Sequence, residues 1–80
     1  MNKDEILKQI EIIFQDVLDN EDIVLSENTT AQDVDEWDSL THIQLVVAIE
    51  KHFKVKFPSN VMLSWKNAGE IVDSVINRIS

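Results

Sequence analysis

One glycine and one proline in eighty residues leave this chain very little to punctuate itself with. Folds built from many short strands need turn residues at close intervals, and the sequence does not supply them. Long helices remain, and the apolar residues are spaced to suit them. Asn2, with Glu5 three positions on, makes an N-cap pattern. Ile6, Leu7, Ile10, Ile13, Phe14, Val17 and Leu18 then recur at three- and four-residue steps and fill one face, with Ile12 alone outside it. A first amphipathic helix is predicted over residues 3–18.

Periodicity stops from Asp19 to Trp37, which holds Asn, Ser, Thr and acids around the isolated apolar residues Ile23, Leu25 and Val34. A loop of this length in a small domain has a function or betrays a wrong assignment. The single apolar residues are expected to pin it across the helices, with room for a short helical turn near Thr30–Val34. Asp38, a good N-cap type, opens a second helix that runs to about Lys54. Leu45, Ile49, Phe53, Val46, Ile43, Val47 and Leu40 cover more than half of its circumference, interrupted by His42 and Glu50. So broad an arc predicts a central helix packed against several neighbours. Lys51, His52 and Lys54 suit the negative end of its dipole.

Phe57-Pro58 reads as extended chain. Ser59 is expected to cap a short third helix to about Leu63 that buries Val61, Met62 or Leu63. Asn67 is expected to cap a last helix whose apolar face is Ala68, Ile71, Val72, Val75, Ile76 and Ile79, with Gly69 tolerated near its start at some cost. The fold class expected is all-α: a small four-helix bundle of three longer helices, one short helix and a long first loop, with residues 1–80 as one domain.

Composition removes several function classes. Without cysteine there is no disulfide framework and no thiolate metal site. A formal charge of −8 argues against binding a nucleic-acid backbone. No apolar stretch reaches membrane-spanning length, and no secretory leader pattern opens the chain, so a cytoplasmic protein is expected. The charge is uneven. Nine acids lie between Asp16 and Asp38 with no Lys or Arg, whereas Lys51 to Lys56 holds three lysines and no acid. An acidic run is most often a solvated surface; the sharper reading is a docking surface for basic partners.

Enzymatic constellations are poor. His42 and His52 stand ten residues apart on one helix and cannot meet on one metal ion, so each reads as a surface or boundary residue. A Ser39–His42–acid triad would lie in a first helical turn without an enclosed pocket. Asp33-x-Asp35 starts like a calcium loop, but Asp38 stands where the glycine belongs and Gln44 where the glutamate belongs, so no metal site is expected. Ser39 has a physical case of its own. It is the first residue of the second helix, where unpaired N–H groups and the helix dipole favour a phosphate on its oxygen. The plain alternative is a helix-start residue with Asp38 as the cap.

Asp38-Ser39-Leu40 resembles the attachment motif of acyl carrier proteins. The similarity continues through Ile43, Leu45, Val46, Ala48, Ile49, Glu50 and Phe53, then Phe57-Pro58, and the final helix from Asn67. It covers essentially the whole chain. The resemblance implies a carrier and not a catalyst: a phosphopantetheinyl transferase moves 4′-phosphopantetheine from coenzyme A to Ser39, and the arm's thiol holds acyl groups as thioesters for acyl-transfer, condensing or ligase enzymes. It further implies an acyl pocket lined by Val46, Ile49, Phe53, Ala68 and Ile71. Partner docking maps to Asp38, Thr41, Gln44, Val47 and Lys51, of which only Asp38 is acidic. Steering by basic docking patches then rests more on loop acids such as Asp35 and Glu36.

A monomer in fatty acid or related acyl-chain biosynthesis is the expectation, without nucleic acid or membrane insertion. A D-alanyl, peptidyl or polyketide carrier shares the attachment chemistry. An acidic helical adaptor without a prosthetic group is the alternative from another class.

Overall fold

The computed structural model describes residues 2–79. Four helices follow in order: α1 Lys3–Val17, α2 Ser39–Phe53, α3 Ser59–Met62 and α4 Ala68–Ile79. The described residues contain no strand. Asn2 caps α1, its Oδ1 accepting from the Glu5 N–H at 2.9 Å, and Asn67 caps α4 by accepting from the Glu70 N–H at 2.9 Å.

Two helix ends come earlier than expected, each by one residue. Asp19 and Lys54 lie in the left-handed region, at φ 53° and 59°. At each end the next N–H bonds back to a helix carbonyl, Asn20 to Gln15 and Val55 to Glu50, both at 3.0 Å. This geometry satisfies carbonyls that the helix leaves open. Across the loop, α2 runs back along α1: Phe14 meets Trp37 before α2, and Gln9 meets His52 near its end.

The core is built from the three long helices. Ile6, Ile10, Phe14, Leu45, Ile49, Ile71, Val72 and Val75 are fully buried. Ile12 is exposed, as its place outside the α1 face requires. The long loop is pinned as expected by buried Ile23, Leu25 and Val34, and Trp37 joins them. Polar groups of α1 hold its backbone: Glu11 accepts from the Leu25 N–H, and the Gln15 amide donates to the Ile23 carbonyl, both at 2.9 Å. Around Thr30–Val34 a turn forms, closed by the Asp33 N–H on the Thr30 carbonyl, and no helix.

Three expectations are corrected. Pro58, not Ser59, stands at the N-cap of α3, which makes no side-chain cap bond. None of the α3 residues is fully buried, Val61 and Met62 are half-buried, and Leu63 is exposed. The apolar arc of α2 is also not all core. Leu45, Val46 and Ile49 are buried, but Leu40, Ile43 and Val47 are 72%, 44% and 43% exposed. The physical cause is the brevity of α3: α1 covers one flank of α2, and a four-residue helix cannot cover the other.

The polar residues that interrupt this arc tie α2 to the chain that follows it. Glu50 accepts from the Phe57 N–H at 2.8 Å, and a His42 ring nitrogen bonds the Met62 carbonyl at 2.9 Å.

Candidate functional site

Ser39 opens α2. Its side chain is exposed and its hydroxyl has no hydrogen-bond partner among the described residues. The turn around it is held by its neighbours. Asp38 Oδ1 accepts from the N–H groups of Leu40 at 3.0 Å and Thr41 at 2.9 Å, while Thr41 Oγ1 accepts from the Asp38 N–H at 2.9 Å. This reciprocal cap holds the Asp38 carboxyl below its ordinary value of 3.8, chiefly through the Thr41 backbone bond.

The expected set of open N–H donors beside Ser39 is therefore smaller than the helix start suggested, since Asp38 already occupies two of them. What remains is a rigid turn with one free hydroxyl at its apex.

Beneath that turn lies an aromatic wall. Trp37 is 5% exposed and meets Phe14 edge-on, with ring centroids 4.9 Å apart. Its indole N–H donates to His42 Nδ1 at 3.0 Å. An indole nitrogen can only donate, so Nδ1 accepts and Nε2 bears the proton that goes to the Met62 carbonyl. Trp65 continues the wall: its ring stands edge-on to His42 at 5.9 Å and to Phe57 at 5.0 Å, and its N–H donates to Ser74 Oγ at 2.8 Å.

Ala31, Trp37, Asp38, Ser39, His42, Leu63, Trp65 and Lys66 surround an open groove of about 230 Å³. A larger groove of about 430 Å³ lies within the acidic loop and does not include Ser39; its walls are mostly polar loop residues. Sequence reasoning did not single out Trp65, Leu63 or Lys66 for this site. No local signal marks them, because they come from the segment after α3 and reach Ser39 only through the fold.

The residues expected at a docking face divide. Asp35, Glu36, Asp38, Gln44, Val47 and Lys51 are exposed. Thr41 is half-buried and its hydroxyl is engaged in the cap, donating to the Glu36 carbonyl at 2.7 Å. Leu40, Ile43 and Val47 add an apolar stripe on the open flank of α2. Val46, Ile49, Ala68 and Ile71 are buried, and Phe53 is half-buried. His42 sits at the boundary and His52 at the surface, as their isolation in sequence suggested. No helix among the described residues is long and apolar enough to cross a membrane.

Ser39, exposed and unpartnered behind the Asp38 cap at the start of a long helix, is open to covalent modification. Comparison with known proteins agrees. The model of the phosphopantetheine attachment site family matches residues 8–75. An acyl carrier protein of Thermosynechococcus vestitus is 30% identical over 100% of this chain and 99% of its own length. The solution structure of a holo acyl carrier protein from Geobacter metallireducens is 40% identical and superposes with a TM-score of 0.85, covering 91% of this chain and 84% of that one.

The chain belongs to the phosphopantetheine attachment site family, the acyl carrier proteins. It is a carrier protein and not an enzyme, and its cofactor is covalently attached phosphopantetheine. A phosphopantetheinyl transferase and acyl-handling enzymes are its partners by family. The groove at Ser39 fits such a group: the hydroxyl is free, faces open space and is rooted in a turn that its neighbours hold.

Proposed function

We propose that Ser39 is the attachment residue and that the chain delivers acyl groups for fatty acid or related acyl-chain biosynthesis in the cytoplasm, as a monomer of one carrier domain. The observation that carries this reading is the exposed, unpartnered hydroxyl of Ser39 within Asp38-Ser39-Leu40 at the start of α2. In the modification step, Ser39 Oγ attacks the pantetheine-bearing phosphorus of coenzyme A. The new O–P bond forms as the pyrophosphate P–O bond breaks, 3′,5′-adenosine diphosphate leaves, and the hydroxyl proton passes to a base of the transferase. Once attached, the arm ends in a thiol that holds acyl groups as thioesters.

The residues of this chain orient and present. Asp38 and Thr41 hold the first turn of α2, so that Ser39 keeps one direction toward solvent. The stripe of Leu40, Ile43 and Val47 supplies apolar docking area, with Asp35, Glu36 and Asp38 attracting basic residues of the partner and Gln44 and Lys51 at its edge. Val46, Ile49, Phe53, Ala68 and Ile71 serve as core in the unloaded protein and line the space that a long acyl chain opens between the helices.

The test is intact mass after incubation with coenzyme A, magnesium and a broad-specificity phosphopantetheinyl transferase. The wild-type chain should gain one phosphopantetheine and Ser39→Ala none. A folded wild type, checked by circular dichroism, that gains nothing would refute the assignment.

A further inference from the structure

The chain carries fifteen acids and seven Lys and Arg, yet three of the seven fall between Lys51 and Lys56 with no acid among them. Lys51, Lys54 and Lys56 surround an open groove of about 410 Å³ at the end of α2, together with Val47, Glu50 and Val55. All three lysines are exposed, and none has an ion-pair partner among the described residues. Other cations are engaged: Lys3 pairs with Asp73 at 3.0 Å, and Arg78 stands over the Phe57 ring, 5.9 Å from its centroid.

Lysines near a helix C-terminus ordinarily complement its dipole. Here the Glu50 carbonyl already receives the N–H groups of Lys54 and Val55, and Lys56 lies beyond the helix altogether. The one acid that lines the groove is turned to another task, since the Glu50 carboxylate accepts from the Phe57 N–H at 2.8 Å. The lysines are thus left without a counter-charge of their own.

We propose that this groove docks an acidic segment of a partner protein, one that interleaves carboxylates with aliphatic side chains. Charge complementarity selects the occupant. The lysines take the carboxylates, and Val47, 43% exposed, and half-buried Val55 take the aliphatic groups. A second copy of this chain, an anionic lipid surface and a nucleic acid all meet a molecule of net charge −8 and are repelled before they reach three lysines. A lone phosphate leaves both valines unused. Val47 also belongs to the apolar stripe on the open flank of α2, so a protein seated on that stripe reaches the groove without a break. A partner whose face is basic throughout is repelled here, and one with acids opposite the lysines is admitted. The groove therefore discriminates among partners that the attachment motif treats alike. Its occupation does not require Ser39 to be modified.

The probe is a short, capped peptide of alternating Glu and Val, titrated into the isotope-labelled chain at low salt and followed in proton–nitrogen correlation spectra. The amides of Val47, Lys51, Val55 and Lys56 should shift and saturate. With Lys51→Gln and Lys56→Gln combined, the affinity should fall about five-fold or more, and about 0.5 M salt should weaken binding to the wild type. Lys8→Gln, on α1, should bind as wild type. A peptide of alternating Glu and Gly should bind more weakly than the Glu and Val peptide. Phosphatidylglycerol vesicles should not retain the chain in a flotation assay.

A folded wild type without saturable shifts would overturn the proposal, as would shifts of equal size around Lys8 and Lys66. Unchanged affinity in the double variant, or vesicle binding that depends on the three lysines, would also overturn it. Equal binding of the two peptides would remove the valines from the site. Mass gain at Ser39 is measured separately. A chain that is modified but does not bind the peptide loses the groove and keeps the attachment residue; the converse result loses the attachment residue alone.

Discussion

Lys54 holds a left-handed backbone at φ 59° with an ordinary side chain, a conformation that glycine adopts without steric cost. Lys54→Gly should raise stability by about 0.5–1 kcal/mol, because relief of that strain exceeds the added freedom of glycine in the unfolded chain. Urea unfolding midpoints measure the change. Asp38 offers a pH test at the same scale. Its carboxyl is lowered on folding, so its contribution is present above its unfolded value and is lost as pH falls through the folded one. Asp38→Asn keeps a capping oxygen but does not titrate. Between about pH 5 and about pH 3, the variant should lose less stability than wild type; equal losses would show that other carboxylates dominate acid unfolding. Asp38 and Asn67 were legible as caps because capping is a local matter of side chain and adjacent N–H groups. The two bonds of His42 were not, since one partner lies twenty residues downstream.

At the scale of elements, the long loop and α4 form one clamp. The N–H groups of Ala68 and Gly69 donate to the carbonyls of Thr29 and Glu27, both at 2.9 Å. The loop backbone thus satisfies donors that a helix start leaves open. A Cβ at Gly69 would stand 2.8 Å from the Glu27 oxygen, closer than van der Waals contact allows. The glycine that looked like a tolerated cost in a helix is the residue that lets loop and helix meet. Gly69→Ala gains helix propensity but forces the loop away, and should destabilise by about 1 kcal/mol in net terms. A rise in stability on thermal unfolding would show the loop yields freely. The same scale explains why the α2 arc was over-read as core. A helical wheel shows which residues share a face, but not whether a neighbour is long enough to cover it.

Across the whole molecule, charge is distributed along the open flank of α2. Asp35, Glu36 and Asp38 stand at its start, and Lys51, Lys54 and Lys56 edge a groove at its end, about 22 Å away by the rise of fifteen helical residues. On the proposed docking face, a basic partner would be drawn toward the Ser39 end and repelled at the other, which would set its orientation. Reversing Asp35 and Glu36 to Lys together should slow phosphopantetheine transfer several-fold at low salt, and the effect should shrink at about 0.5 M salt. Asp4→Lys, on the N-terminal turn of α1 at the far end of the bundle, should leave the rate unchanged. Equal slowing by both would show that net charge, and not its placement, is what the transferase senses.

By itself the sequence determined three long helices, their caps, the pinned loop and the candidate serine, because each depends on residues close in the chain: apolar spacing, a capping side chain, a motif of three. Tertiary structure decided which half of the α2 arc is buried, that Gly69 meets Glu27, and that Trp65, Leu63 and Lys66 stand beside Ser39. Those facts depend on how helices of given length lie against one another. Contacts between residues twenty or more positions apart leave no periodic trace in a single chain.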